Sequence, residues 1–231
     1  MNLGLETRLH HLNKQYGDQL LTLLTIMLVL LLFVLAPLAS TGIVFQALAG
    51  IVELALIVVA LIVSGSTAAF LLLLVAFSMS FVVFILRATH DFSIIHLYLT
   101  ATSRLIVAVT LSWIVGYAVF GPGRVNYHRI IGAVFLYLLI AVVFSSLFTF
   151  VGLLIPNAIL GIKFEDDPVL VSQLFYFDFV TLTSVGYGDI VPIHPIARSL
   201  SNLETIVGQF YPATLLARLV TLEVAGQTRD G

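Results

Sequence analysis

Two glycines, Gly186 and Gly188, alternate with Val185 and Tyr187 inside the run Thr181-Leu182-Thr183-Ser184-Val185-Gly186-Tyr187-Gly188-Asp189. This spacing can do chemistry with backbone atoms alone. A cation entering a narrow pore must shed water, and other oxygens must replace it. Successive carbonyls can do so if all of them face one side of the ribbon. Such a ribbon needs dihedrals that ordinary L-residues avoid and glycine reaches at little steric cost. The carbonyls of Ser184, Val185, Gly186 and Tyr187 would then stack as rings, each chain giving one carbonyl per ring. The Ser184 hydroxyl can close the inner ring. Tyr187 is expected to point away from the ion path and pack behind it. The pattern makes an ion-conducting pore the leading expectation.

The rest of the chain must hold that ribbon. Of its 231 residues, 60% are hydrophobic and only 10% charged, against about a quarter charged in soluble domains. An all-α membrane protein is expected. Six apolar stretches are long enough to span a bilayer: 20–38, 43–63, 67–86, 94–120, 131–154 and 196–222. The first is too long for a signal-peptide core, and Pro37 stands where a cleavage site wants a small residue. A shorter apolar stretch, 169–183, leads into the glycine run and is read as a re-entrant pore helix. Non-helical backbone at membrane depth is tolerated where it is buried in protein or lines a wet cavity.

Basic residues set the topology. With the N-terminus in the cytoplasm, Arg8, Lys14, Arg124, Arg129, Arg218 and Arg229 all fall inside. Arg87, Lys163 and Arg198 fall outside, and Arg104 lies within a span. Both termini are therefore placed in the cytoplasm. Three units follow: an interfacial segment over 1–19, a four-helix unit over 20–120, and a pore unit over 124–231. Leu5, Leu9, Leu12 and Tyr16 share one face of the first segment, as in a helix lying on the inner membrane surface. Gly121-Pro122-Gly123 breaks the helical pattern at the second boundary. The acidic run Glu165-Asp166-Asp167 falls in the outer loop before the pore helix. It either concentrates cations at the mouth or is simply solvated.

The run 181–189 resembles the signature of the tetrameric potassium channels, T-x-T-T-V-G-Y-G-D, with Ser184 in place of the second Thr. The T-V-G-Y-G loop is the known potassium filter, so this is a match to an existing pattern. The resemblance implies a homotetramer in the lipid bilayer, with K+ as the transported ion at Ser184, Val185, Gly186 and Tyr187. Gly188 completes the ion-binding segment, and Thr183, Tyr176 and Asp189 support it. Tyr176 is expected to hydrogen-bond Asp189. Gly208, mid-way along the last span, is similar to the family's inner-helix hinge, and Pro212 adds a second weak point because it removes a helix hydrogen bond. A plasma (inner) membrane location and six-helix, voltage-gated-like architecture are implied as well.

Charge counting limits the four-helix unit. A working voltage sensor carries about 3–4 gating charges per subunit, whereas the fourth span holds Arg104 alone. A sensor-like fold without a gating-charge array is expected, and voltage dependence should be weak or absent. Glu53 and Arg104 each lie about 15 Å deep by helical rise, and opposite charges at one depth should pair. Glu204, Asn202 and Gln209 are polar residues inside the last span. Glu204 either sits behind the pore helix, near Thr181 or Thr183, or lines the inner cavity.

The chain has no Cys, no Walker motif, no metal-ligand cluster and no nucleophile–base pair. No enzyme, no cofactor and no nucleic-acid partner is expected. Little chain follows residue 222, so ligand gating would need a separate regulatory chain. Three other readings compete: a poorly selective cation channel, a potassium transporter subunit and a membrane scaffold. The transporter relatives repeat the pore unit four times in one chain, and this chain has one copy.

Overall fold

The computed structural model describes residues 19–64, 66–88, 93–120 and 127–230. The interfacial segment expected over 1–19 (apart from Gln19) and the Gly121-Pro122-Gly123 boundary lie outside them. Seven helices follow in chain order: α1 Gln19–Ala39, α2 Ile43–Val63, α3 Thr67–Ala88, α4 Ile94–Phe120, α5 Tyr127–Leu154, α6 Pro168–Leu182 and α7 Pro195–Asp230. Two short strands, β1 Ile159–Leu160 and β2 Val191–Pro192, flank α6 and the glycine run.

α1 to α5 contain the five candidate membrane spans among the described residues. α6 is apolar but too short. α7 covers the sixth expected span. It is long, but Arg198, Glu204, Gln209 and Arg218 interrupt its apolar character, and it is not among the five. α1 widens to a π-helical turn over Leu31–Leu35, where the Ala36 N–H bonds to the Leu31 carbonyl. Pro37 follows at once; it lacks an N–H and would clash with the carbonyl four residues back, so the helix accommodates it by widening.

Consecutive helices pack side by side, with α4 lying along α5. The buried share of each span rises from 17% in Ile43–Val63 to 61% in Tyr127–Leu154. α5 is therefore the central helix, and α2 turns residues such as Ile43, Val44, Ile51 and Ile62 outward. In lipid such residues gain nothing by burial against each other, so close packing and interhelical hydrogen bonds hold the bundle. Ser103 shows both. It is fully buried, donates to the Ala76 carbonyl at 2.8 Å and lies 2.7 Å from the Ser80 hydroxyl.

A second cluster gathers beneath α6: Phe144 and Phe148 of α5, Ile159 of β1, Leu170, Leu174 and Phe177 of α6, and Ala197 of α7. Phe148 and Phe177 meet edge-on, centroids 5.0 Å apart. The two strands pair antiparallel, Ile159 opposite Pro192 and Leu160 opposite Val191. This ribbon ties the chain entering α6 to the chain leaving the glycine run, closing both into one loop. Gly161 sits in that loop at φ +94°, and a β-carbon there would meet the Asp189 carbonyl at 2.9 Å.

Candidate functional site: the glycine-rich loop and its supports

α6 starts at a built cap. The Asp167 carboxylate accepts from the Val169 N–H at 2.9 Å, and Pro168 takes the first helical position, where no N–H is needed. Its end is equally defined. The Ser184 N–H bonds to the Thr181 carbonyl at 3.0 Å, and the Val185 N–H to the Val180 carbonyl at 2.9 Å. These are the two bonds of a Schellman motif, which requires a left-handed residue just past the helix. That residue is Ser184, at φ +60°. Glycine usually fills this place, so Ser184 is held in a conformation unfavourable for an L-residue.

From there the sign of φ alternates. Ser184, Gly186 and Gly188 are positive at +60°, +58° and +81°, while Val185 and Tyr187 are not. Reversing the handedness at every second residue turns successive carbonyls toward the same side. Apart from each glycine's own chain neighbours, no atom among the described residues comes within 4 Å of a β-carbon built on Gly186 or Gly188. Val185 and Tyr187 are exposed on the single chain.

Behind the loop, the Tyr187 ring stacks parallel to Tyr176, centroids 6.2 Å apart. The Tyr176 hydroxyl interacts with the Asp189 carboxylate, and that contact, with some desolvation, raises the hydroxyl above its ordinary pKa. The Thr183 hydroxyl donates back to the Phe179 carbonyl.

α7 seats the end of α6 through one face. Thr205 donates to the Thr181 carbonyl at 3.3 Å, and Gln209 Nε2 donates to the Ser184 hydroxyl oxygen at 2.9 Å. Between them, Gly208 lies against the Leu182 carbonyl so closely that a β-carbon would overlap its oxygen. Positions 205, 208 and 209 follow the i, i+3, i+4 spacing of one helical face. Pro212 lies inside the same helix. It cannot supply the N–H that the Gly208 carbonyl would otherwise accept, so α7 lacks that one backbone bond. Glu204 is fully buried beside Asp178 of α6, and none of its oxygens has a hydrogen-bond partner among the described residues. It is buried against α6 within the single chain and is not exposed.

Two further contacts join α2, α3 and α4 to α6 and the loop before it. Arg104 donates from Nε and Nη2 to both oxygens of Glu53, at 2.9 and 2.8 Å, and its guanidinium lies 5.9 Å from the Phe175 ring centroid on α6. Asp166 takes Arg87 at 2.6 Å and lies 3.0 Å from His96 Nδ1. Of the acidic run, Asp166 is thus buried in a contact and Asp167 caps a helix. The His96–Asp166 contact joins residues 70 positions apart and has no signal in the sequence. The seating of Gln209 on Ser184 was also missed. The spacing of Thr205, Gly208 and Gln209 is the signal that could have found it.

Five helices of membrane-spanning length and a glycine-rich loop seated between two further helices define an integral membrane protein. Residues 133–224, from α5 through the loop to α7, match the family model described as ion channel. No curated protein matches the chain.

Proposed function

We propose that the protein is a potassium-selective channel whose filter is built from residues 184–188 of four identical chains. The supporting observation is the alternation of φ at Ser184, Gly186 and Gly188. One chain offers one column of carbonyls and cannot surround an ion, so the ring needs copies. K+ then exchanges water for these carbonyls and moves by knock-on between adjacent sites. In this reading α7 is the sixth crossing, both termini are cytoplasmic in the plasma (inner) membrane, and α6 with the loop is re-entrant. Gly208 and Pro212 form the hinge of the inner gate. The backbone bond missing at Pro212 supports the hinge, although Gly208 also has a packing reason to be glycine. Arg104 is engaged by Glu53 and is the one arginine of α4, which supports weak or absent voltage gating.

The test is the reversal potential of purified protein in a bilayer with potassium on one side and sodium on the other. A value near the potassium equilibrium potential is expected. A value near zero with robust current overturns selectivity and leaves the poorly selective channel.

A further inference from the structure

Asp178 of α6 and Glu204 of α7 are both completely buried, with 0% exposure. Thr205, next to Glu204, donates to the carbonyl of Thr181, one turn past Asp178, so the two carboxyls lie on the α6–α7 contact; none of their four oxygens has a hydrogen-bond partner among the described residues. Burial is complete within one chain, so assembly cannot expose them. Orphaned buried oxygens of this kind need an explanation.

The surroundings narrow it. From α5, Ser145 faces Asp178 without closing a good hydrogen bond, and the Tyr137 hydroxyl lies within electrostatic reach of Glu204. α1 packs against α6 and carries no titratable side chain over residues 19–39. Arg104 of α4 is occupied by Glu53, one turn of α6 away over Phe175. Ser201, one turn earlier on α7, is buried and also lacks a partner. Among the described residues, therefore, no cation offsets two negative charges here, and no group of three or more metal-binding side chains exists. Two carboxylates in one apolar site cannot both ionise cheaply, and the usual resolution is a proton held between them.

We propose that Asp178 and Glu204 form a proton-binding carboxyl pair that joins the pore helix to the inner helix. With a proton, one carboxyl donates to the other and the two helices are bonded. Without it, two like charges face each other across the α6–α7 contact. α6 also carries the Schellman turn that holds Ser184, so the charge state of the pair reaches the loop through one rigid helix. The inference does not depend on potassium selectivity.

Linkage gives the sign. At neutral pH the folded pair keeps a proton that the same carboxyls release in the unfolded chain, so stability falls as pH rises. For each extra proton held by the native state, the folding constant drops about tenfold per pH unit. The experiment is infrared difference spectroscopy on the purified protein, which needs no current, together with its thermal stability across pH. A protonated carboxyl C=O band is expected at neutral pH, absent from Asp178→Asn/Glu204→Gln. The parent should lose stability at alkaline pH, and the double variant should not. The single variants Asp178→Asn and Glu204→Gln keep a donor in the site, so they should fold and show a flattened profile. A parent spectrum without that band overturns the proposal. So does a double variant with the parent's pH profile, or a band that vanishes on adding a divalent cation at constant pH.

Discussion

Arg104 of α4 grips Glu53 of α2 with two nearly parallel hydrogen bonds of 2.9 and 2.8 Å. The fork geometry matches a carboxylate. It also consumes the one arginine of α4 that could respond to a field. Removing one partner of a buried pair costs about 3–5 kcal/mol, because the other charge is left uncompensated. Here the figure is an upper bound. The side chains keep 20% and 16% exposure and border a cavity of about 330 Å³. Glu53→Gln and Arg104→Gln should each lower the melting temperature of the detergent-solubilised protein. Glu53→Arg/Arg104→Glu should recover most of it. Single variants that melt with the parent would show the pair contributes nothing.

Asp166 serves as a clamp between the end of α3, the start of α4 and the loop before α6. Its side chain is 4% exposed and holds Arg87 and His96 together. Asp166→Ala strands a buried histidine and an arginine whose Nε already lacks a partner. A loss of roughly 1–3 kcal/mol is expected from unsatisfied buried groups. Glu165→Ala, in the same run, should be neutral. Melting curves of the two variants side by side check this. Equal melting would return the acidic run to the solvated-loop reading.

Some of this was legible in the sequence because depth and spacing are properties of a regular helix. Rise per residue puts Glu53 and Arg104 at one level before any packing is known. Apolar length marks the first five spans, and glycine spacing marks the loop. Contacts between helices far apart in the chain are another matter. Nothing in the order of residues says that Glu204 faces Asp178, that Gln209 reaches Ser184, or that His96 meets Asp166, because rotation about a helix axis is set by its neighbours. The left-handed φ of Ser184 was hidden for a different reason. Serine does not advertise it, and only the capping geometry of α6 requires it.

Gly208 carries two requirements that one substitution can separate. Against the Leu182 carbonyl there is no room for a β-carbon, and a backbone carbonyl cannot rotate aside like a side chain. Gly208→Ala should therefore destabilise by about 1–3 kcal/mol through overpacking. A pure hinge role predicts otherwise: normal stability and a reduced open probability. Pro212→Ala restores the N–H beneath the Gly208 carbonyl and leaves the contact alone. It should stiffen α7 and lower open probability with stability unchanged or higher. Thermal melting and single-channel recording of both variants decide between packing and bending.

Ser184 is held by backbone and side chain at once, and the two can be told apart. Ser184→Gly relieves the left-handed strain but removes the hydroxyl, whereas Ser184→Ala removes the hydroxyl and keeps the strain. The difference in stability between these variants should be about 1–2 kcal/mol in favour of glycine. The hydroxyl has its own partner in Gln209, whose Nε2 lies 2.9 Å away. By donating to that oxygen, Gln209 fixes where the lone pairs of Ser184 point, and in the proposed channel that sets how well they replace water. Gln209→Ala forfeits a hydrogen bond worth about 0.5–1.5 kcal/mol. If that loss falls on one ion more than another, the permeability ratio shifts by up to about tenfold, since 1.4 kcal/mol is a factor of ten. Gln209→Asn is too short to reach and should behave like alanine. The reversal potential of each variant, measured as for the parent, is the check. A Gln209→Ala channel with the parent's permeability ratio would mean that Ser184 is oriented by its Schellman turn alone.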